Sequence, residues 1–134
     1  MPLVYGIEPG LSVEEFVDLL IRSTLAERRP VDEPDRVRRM LERADIVVTA
    51  RLDGQLIGVA RSLSDGAFVT YLSDLAVDVN QQRSGIGREL VRRTREAAGP
   101  DCSLVLLAAP AARGYYPKIG MEHDNSCWMF PRSR

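Results

Sequence analysis

The chain has 134 residues, 45% of them hydrophobic, which is enough for one cored domain over 1–134 and too few for two ordinary ones. A formal net charge of −1 removes the bulk attraction that nucleic acid or an anionic membrane would supply, and the use of arginine almost throughout, with Lys118 the single lysine, does not alter that balance. No run approaches the roughly 18 apolar residues of a spanning helix, and the N-terminus lacks a charged segment followed by an apolar one, so the expectation is a soluble, cytoplasmic protein.

The stretch "LSVEEFVDLLIRSTL" opens with Ser12 and Glu15 in capping-box spacing and puts Val13, Phe16, Val17, Leu20 and Thr24 on one face, which predicts a first helix. After the proline-bearing "AERRPVDEP", Val37, Met40, Leu41 and Ala44 recur at helical intervals and predict a second. The period then shortens. "DIVVTARLDGQLIGVARSL" reads as two strands around an Asp53-Gly54 hairpin turn, and "FVTYLSDLAVDV" as a longer third strand. A helix carrying Leu90, Val91, Thr94, Ala97 and Ala98 inward follows the glycines of "NQQRSGIGREL". The run "SLVLLAAP" is then expected to be a strand covered on both faces, completing a right-handed parallel crossover. The tail predicts a short helix stopped by Gly120 and one or two final strands. Cys102 and Cys127 lack C-x-x-C spacing and nearby histidines, so they read as buried free thiols, and no metal is expected.

The glycine segment raises the chemical question. At the end of a strand and the start of a helix, amides are unpaired and the helix dipole is positive, so an anion can sit there if no Cβ blocks its approach. Gly85 and Gly87 let the amides of about Arg83 through Arg88 converge on phosphate oxygens, with the Arg83 and Arg88 side chains at the rim. A dinucleotide fingerprint would need a third glycine where Leu90 stands. A nucleotide-triphosphate loop would need Gly-Lys-Ser/Thr, and Gly87-Arg88-Glu89 provides neither lysine nor hydroxyl. Taken alone, the segment also fits a plain glycine-rich connection that packs a helix on a sheet.

Its surroundings add to it. Gln82-Arg83-Ser84-Gly85-Ile86-Gly87, with "LSDLAVDV" before and an amphipathic helix after, resembles the acyl-CoA pyrophosphate loop of the GNAT superfamily of N-acyltransferases, and "GYYPKIGME" resembles that superfamily's late tyrosine segment. The resemblance spans nearly the whole chain. It implies an α/β (α+β) fold with a mixed, mostly antiparallel sheet, a central parallel strand pair and about four flanking helices. It also implies acetyl-CoA as cosubstrate, held by Gln82, Arg83, Ser84, Gly85, Ile86, Gly87 and Arg88 at the pyrophosphate and by the backbone of Leu75, Ala76 and Val77 at pantetheine. A β-bulge near Asp78–Asn80 is expected to open the gap that receives the pantetheine.

The implied reaction is direct attack of a primary amine, small-molecule or peptide, on the thioester in a ternary complex. Tyr116 matches the position that protonates the leaving thiolate, while Pro117 and the lack of an asparagine in "APAARGYY" depart from the pattern. Asp74 matches an acidic position that orients the amine, and whether it or a water takes the proton stays open. Ser73, where some relatives carry glutamate, is no base unaided. Tyr115 reads as core or wall and His123 as exposed or satisfied. Two further readings stand beside the enzyme: a CoA-binding sensor or regulatory module that lost turnover, and an interaction domain that forms a homodimer.

Overall fold

The computed structural model describes residues 2–134. Its elements run β1 (Leu3–Ile7), α1 (Val13–Arg22), α2 (Pro34–Glu42), β2 (Ile46–Leu52), β3 (Gln55–Ser64), β4 (Val69–Val77), α3 (Ile86–Ala98) and β5 (Ser103–Val105). The strands form one sheet in the order β1-β2-β3-β4-β5, antiparallel throughout except for the parallel β4–β5 pair.

Local chemistry sets most boundaries. Ser12 Oγ accepts the Glu15 N–H at 3.2 Å and caps α1, which buries Phe16, Leu19 and Leu20. Thr24, expected inward, is exposed in a left-handed turn (φ 72°) just past the helix. Proline at the start of α2 removes one of the donors that a helix start leaves unpaired, and Val37 and Leu41 point inward from that helix. Asp53 (φ 51°) and Gly54 (φ 83°) make the tight turn between β2 and β3, both left-handed as that turn demands.

The helices cover opposite faces. Phe16, Leu19, Leu20, Val37 and Leu41 pack with Val47, Val59 and Ala76 on one side. On the other, Ile86, Leu90 and Val91 of α3 pack with Val48, Ala50, Ala60 and Leu72. Gly58 lets the first turn of α3 lie close: a Cβ there would meet Leu90 Cδ1 at 3.0 Å and Ile86 Cγ2 at 3.1 Å. No helix among the described residues is long and apolar enough to cross a membrane.

Several expectations are corrected. Among the described residues there are three α-helices, not about four, because the segment after β5 forms only 3-10 turns at Pro110–Ala112 and Tyr116–Ile119, where the two prolines withhold backbone donors. The expected buried strand shrinks to Ser103–Val105, with Val105 and Leu107 nearly half exposed. No strand forms in 121–134, where Asp124 instead accepts the Ser126 N–H at 2.7 Å and turns the chain. The parallel pair therefore lies at the sheet edge rather than its centre. Ala97 is exposed, and so is Cys127 in the tail, while Cys102 is half-buried at the margin of the core beneath α3. β1 was not anticipated; only its pairing with β2 distinguishes "LVYGI" from a frayed terminus.

Candidate functional site

The sheet opens where the site was expected. β4 pairs with β5 only from Val69 to Tyr71. The β3–β4 register then slips by one residue, with Ser62 opposite Leu72 but Arg61 opposite Asp74, so Ser73 is a β-bulge. That bulge, not one near Asp78–Asn80, begins the splay, because the extra residue bends β4 as β5 departs. Beyond it, the edge of β4 from Asp74 to Val77 has no strand on the β5 side.

Register decides which backbone groups face the gap. Asp78 N donates to Ile57 O, which makes Val77–Gly58 a non-hydrogen-bonded pair of the ladder. The amide and carbonyl of Ala76 accordingly face β3, while those of Leu75 and Val77 face the gap. Gln82 Nε2 caps the Val77 carbonyl at 3.0 Å, leaving the Val77 N–H and both Leu75 groups free. Of the three strand residues expected to contact pantetheine, Ala76 offers no free backbone group.

At the end of this gap lies the glycine loop. Asp78 holds its entrance: one carboxylate oxygen accepts the Asn80 N–H at 2.9 Å, the other accepts Arg22 of α1 at 2.6 Å. The Asn80 amide, and then Arg22, keep that carboxyl below the usual range. Arg83 (φ 67°) and Gly85 (φ 84°) are left-handed, a curvature that turns successive amides inward. Among the described residues, the amides of Arg83 through Arg88 donate to no other group. Arg83, Ser84, Gly85 and Arg88 are exposed, and Ile86 is buried beneath them. Ser84 Oγ bonds Gln81 O at 2.5 Å, so it braces the loop. Gly87 is needed for space, since a Cβ there would lie 2.8 Å from the Tyr115 hydroxyl. Open amides at a positive helix end fit a pyrophosphate.

Tyr115 is thus the residue that sequence reasoning undervalued. Its hydroxyl, not that of Tyr116, reaches the start of α3, and the adjacent glycine was the available signal. Tyr116 stands edge-on to it, with ring centroids 5.3 Å apart. Burial, then its tyrosine neighbour, pushes the Tyr116 hydroxyl above its ordinary value, so it remains protonated near neutral pH. It makes no hydrogen bond to the described residues. His123 is exposed.

Asp74 differs from the open carboxylate anticipated. Its side chain is fully buried, and its two oxygens each accept an arginine Nε, one from Arg29 at 2.5 Å and the other from Arg61. Arg29 also donates to Ser73 O at 2.8 Å, and Arg61 to Ser73 Oγ and Met40 O, both at 3.0 Å. The carboxylate is a fastening point between the loop after α1, β3 and the bulge. As arranged, it offers an incoming amine no free oxygen.

Similarities to known proteins follow this geometry. Serotonin N-acetyltransferase 2, chloroplastic, of Oryza sativa subsp. japonica is 29% identical over 121 residues, which are 86% of this chain but 58% of that protein. This chain therefore spans less than two thirds of that relative's length. The crystal structure of a candidate acetyltransferase from Deinococcus radiodurans R1 matches at 27% identity with a TM-score of 0.75, covering 98% of this chain and 88% of that one. An aminoglycoside acetyltransferase from an uncultured soil metagenomic sample, solved with trehalose, shares the fold at 19% identity and a TM-score of 0.71, covering 99% and 95%. Residues 13–121 match the Acetyltransferase (GNAT) family, a span that takes in the splayed strands, the glycine loop and both tyrosines. The chain belongs to that family.

Proposed function

We propose that the chain transfers an acetyl group from acetyl-CoA to a primary amine by direct attack within a ternary complex. The observation that carries this reading is the gap beyond Ser73, with free Leu75 and Val77 backbone groups along its side and unpaired amides at its end. Bound acetyl-CoA would supply an activated thioester. Its pyrophosphate fits the Arg83–Arg88 amides, with the Arg83 and Arg88 side chains at the rim, and its pantetheine fits the free edge of β4 as an added strand.

The amine nitrogen bonds to the thioester carbon as the carbon–sulfur bond breaks. The ammonium proton, with an ordinary pKa of about 10.4, must leave before or during attack. Since Asp74 accepts two arginine N–H groups, that proton goes to water. Tyr116, a phenol protonated at neutral pH and pushed further up by burial, donates to the departing sulfur and is restored from solvent. A second reading, a CoA-binding module without turnover, gains from the same absence of a free carboxylate at Asp74. Thiol release in the presence of amines separates the two.

The donor site has its own test. Gly87→Val should weaken CoA binding at least about tenfold, because the new side chain meets the Tyr115 hydroxyl and must displace it or the loop amides. Tyr115→Phe in the same background removes the oxygen that a new Cβ would meet. Unchanged affinity by calorimetry in both folded variants would remove the proposed site.

A further inference from the structure

We infer that the acceptor amine also carries a carboxylate and that Arg29 receives it; this rests on the transferase reading above. Two guanidinium groups share one carboxylate in the Arg29–Asp74–Arg61 cluster, so it holds a net charge of +1 (two positive, one negative). The excess opens outward through one member. Asp74 and Arg61 have side chains 0% and 7% exposed, whereas Arg29 is 22% exposed.

A guanidinium has five N–H donors. Arg29 uses its Nε for Asp74, one terminal nitrogen for Arg28 O and the other for Ser73 O. Two N–H bonds therefore remain, on a side chain whose position is already fixed by three others. Such a group pays little further entropy to bind an anion and matches a carboxylate's geometry.

Its placement gives that charge a use. Ser73 and Asp74 form the bulge where β5 leaves β4, so Arg29, bonded to both, stands at the narrow end of the gap, opposite the glycine loop. The acids of the same segment do not cancel it locally. Glu33 pairs with Arg36 and Arg134, and Asp35 with Arg38. Glu27 and Asp32 are exposed, where water and salt screen them, and exposed Arg28 offsets one of them. A polycationic acceptor would meet a positive group here, while an amino acid or an amine bearing an acid side arm would be drawn in carboxylate first.

The experiment measures thiol release from acetyl-CoA with the natural amino acids, each against its own carboxamide, which removes the anion; because the amide also lowers the ammonium pKa, each kcat/KM is referred to the free-amine concentration. Acids should exceed amides by at least about tenfold in kcat/KM, the scale of a hydrogen bond to a charged group. Arg29→Gln should bring that ratio to about one without changing CoA affinity, and Arg29→Lys should keep part of it. The ratio is internal to each variant, so a modest loss of folded protein does not move it; if the Gln variant fails to fold, the Lys variant carries the comparison. Amides used as well as acids, or a ratio unaltered by either substitution, overturns the inference and leaves the transferase reading standing. Intact CoA binding with no thiol release from any amine overturns both.

Discussion

The Tyr116 hydroxyl has no partner within the described chain, and burial pushes it further above its ordinary value, so its removal isolates one proton. Tyr116→Phe should lower kcat by about 10²- to 10⁴-fold, the usual worth of a general acid, with CoA affinity and Tm nearly unchanged because the ring still packs against Tyr115. A kcat within about threefold of wild type, where chemistry limits turnover, would assign the proton to water. Asp74 should behave differently. Asp74→Asn leaves two arginines without their counter-charge in a buried setting, a change that costs about 3–5 kcal/mol where a buried pair is broken. Thermal unfolding should show that loss as a lower Tm before any kinetic effect is interpreted. The sequence suggested this carboxylate for the site, but its partners stand 45 and 13 residues away, and no local pattern reports that they converge.

Where identity depended on neighbours in sequence, the elements were legible: the Ser12 cap, the Asp53–Gly54 turn and the Gly85 helix start are all local. β1 and the true length of β5 were not, because a strand at a sheet edge exists only through its pairing. The bulge was misplaced for the same reason, since the slip at Ser73 appears only against β3. One element-level link is open to test. Asp78 ties the last turn of α1 to the loop entrance through Arg22 and Asn80. Asp78→Ala should cost about 1 kcal/mol, as the loss of a capping side chain does, and should weaken CoA binding severalfold by loosening the loop. Titration calorimetry with a parallel Tm measurement checks both, and unchanged binding would show that the loop holds its shape without α1.

Across the whole molecule, several paired carboxylates give stability one direction in pH. Arg51 holds the carboxyl groups of Glu8 and Glu15 below their ordinary range, and the Asn80 amide, with Arg22, does so for Asp78. A lowered folded-state value means that this contribution is complete above the unfolded value, roughly 4, and is lost as pH falls through the folded values. Tm should therefore be nearly level from pH 7 to 5 and drop below about pH 4, less steeply in high salt because the groups are partly exposed. A Tm that rises on acidification would contradict this assignment.

The strand order has a consequence in time. β2, β3 and β4 are joined by short turns, whereas β1 reaches β2 only across α1 and α2, and β5 returns to β4 across the whole of α3. Loop-closure entropy makes these two edge pairings later to gain than the central hairpins. The antiparallel strands can assemble before the final third of the chain joins, and the parallel contact has only three residue pairs to reward it. Since that contact ends where the gap begins, and β1–β2 has five residue pairs to its three, the gap beside β4 forms late and opens early. Weakening the Val69–Tyr71 pairing should then raise the unfolding rate while leaving the folding rate almost unchanged.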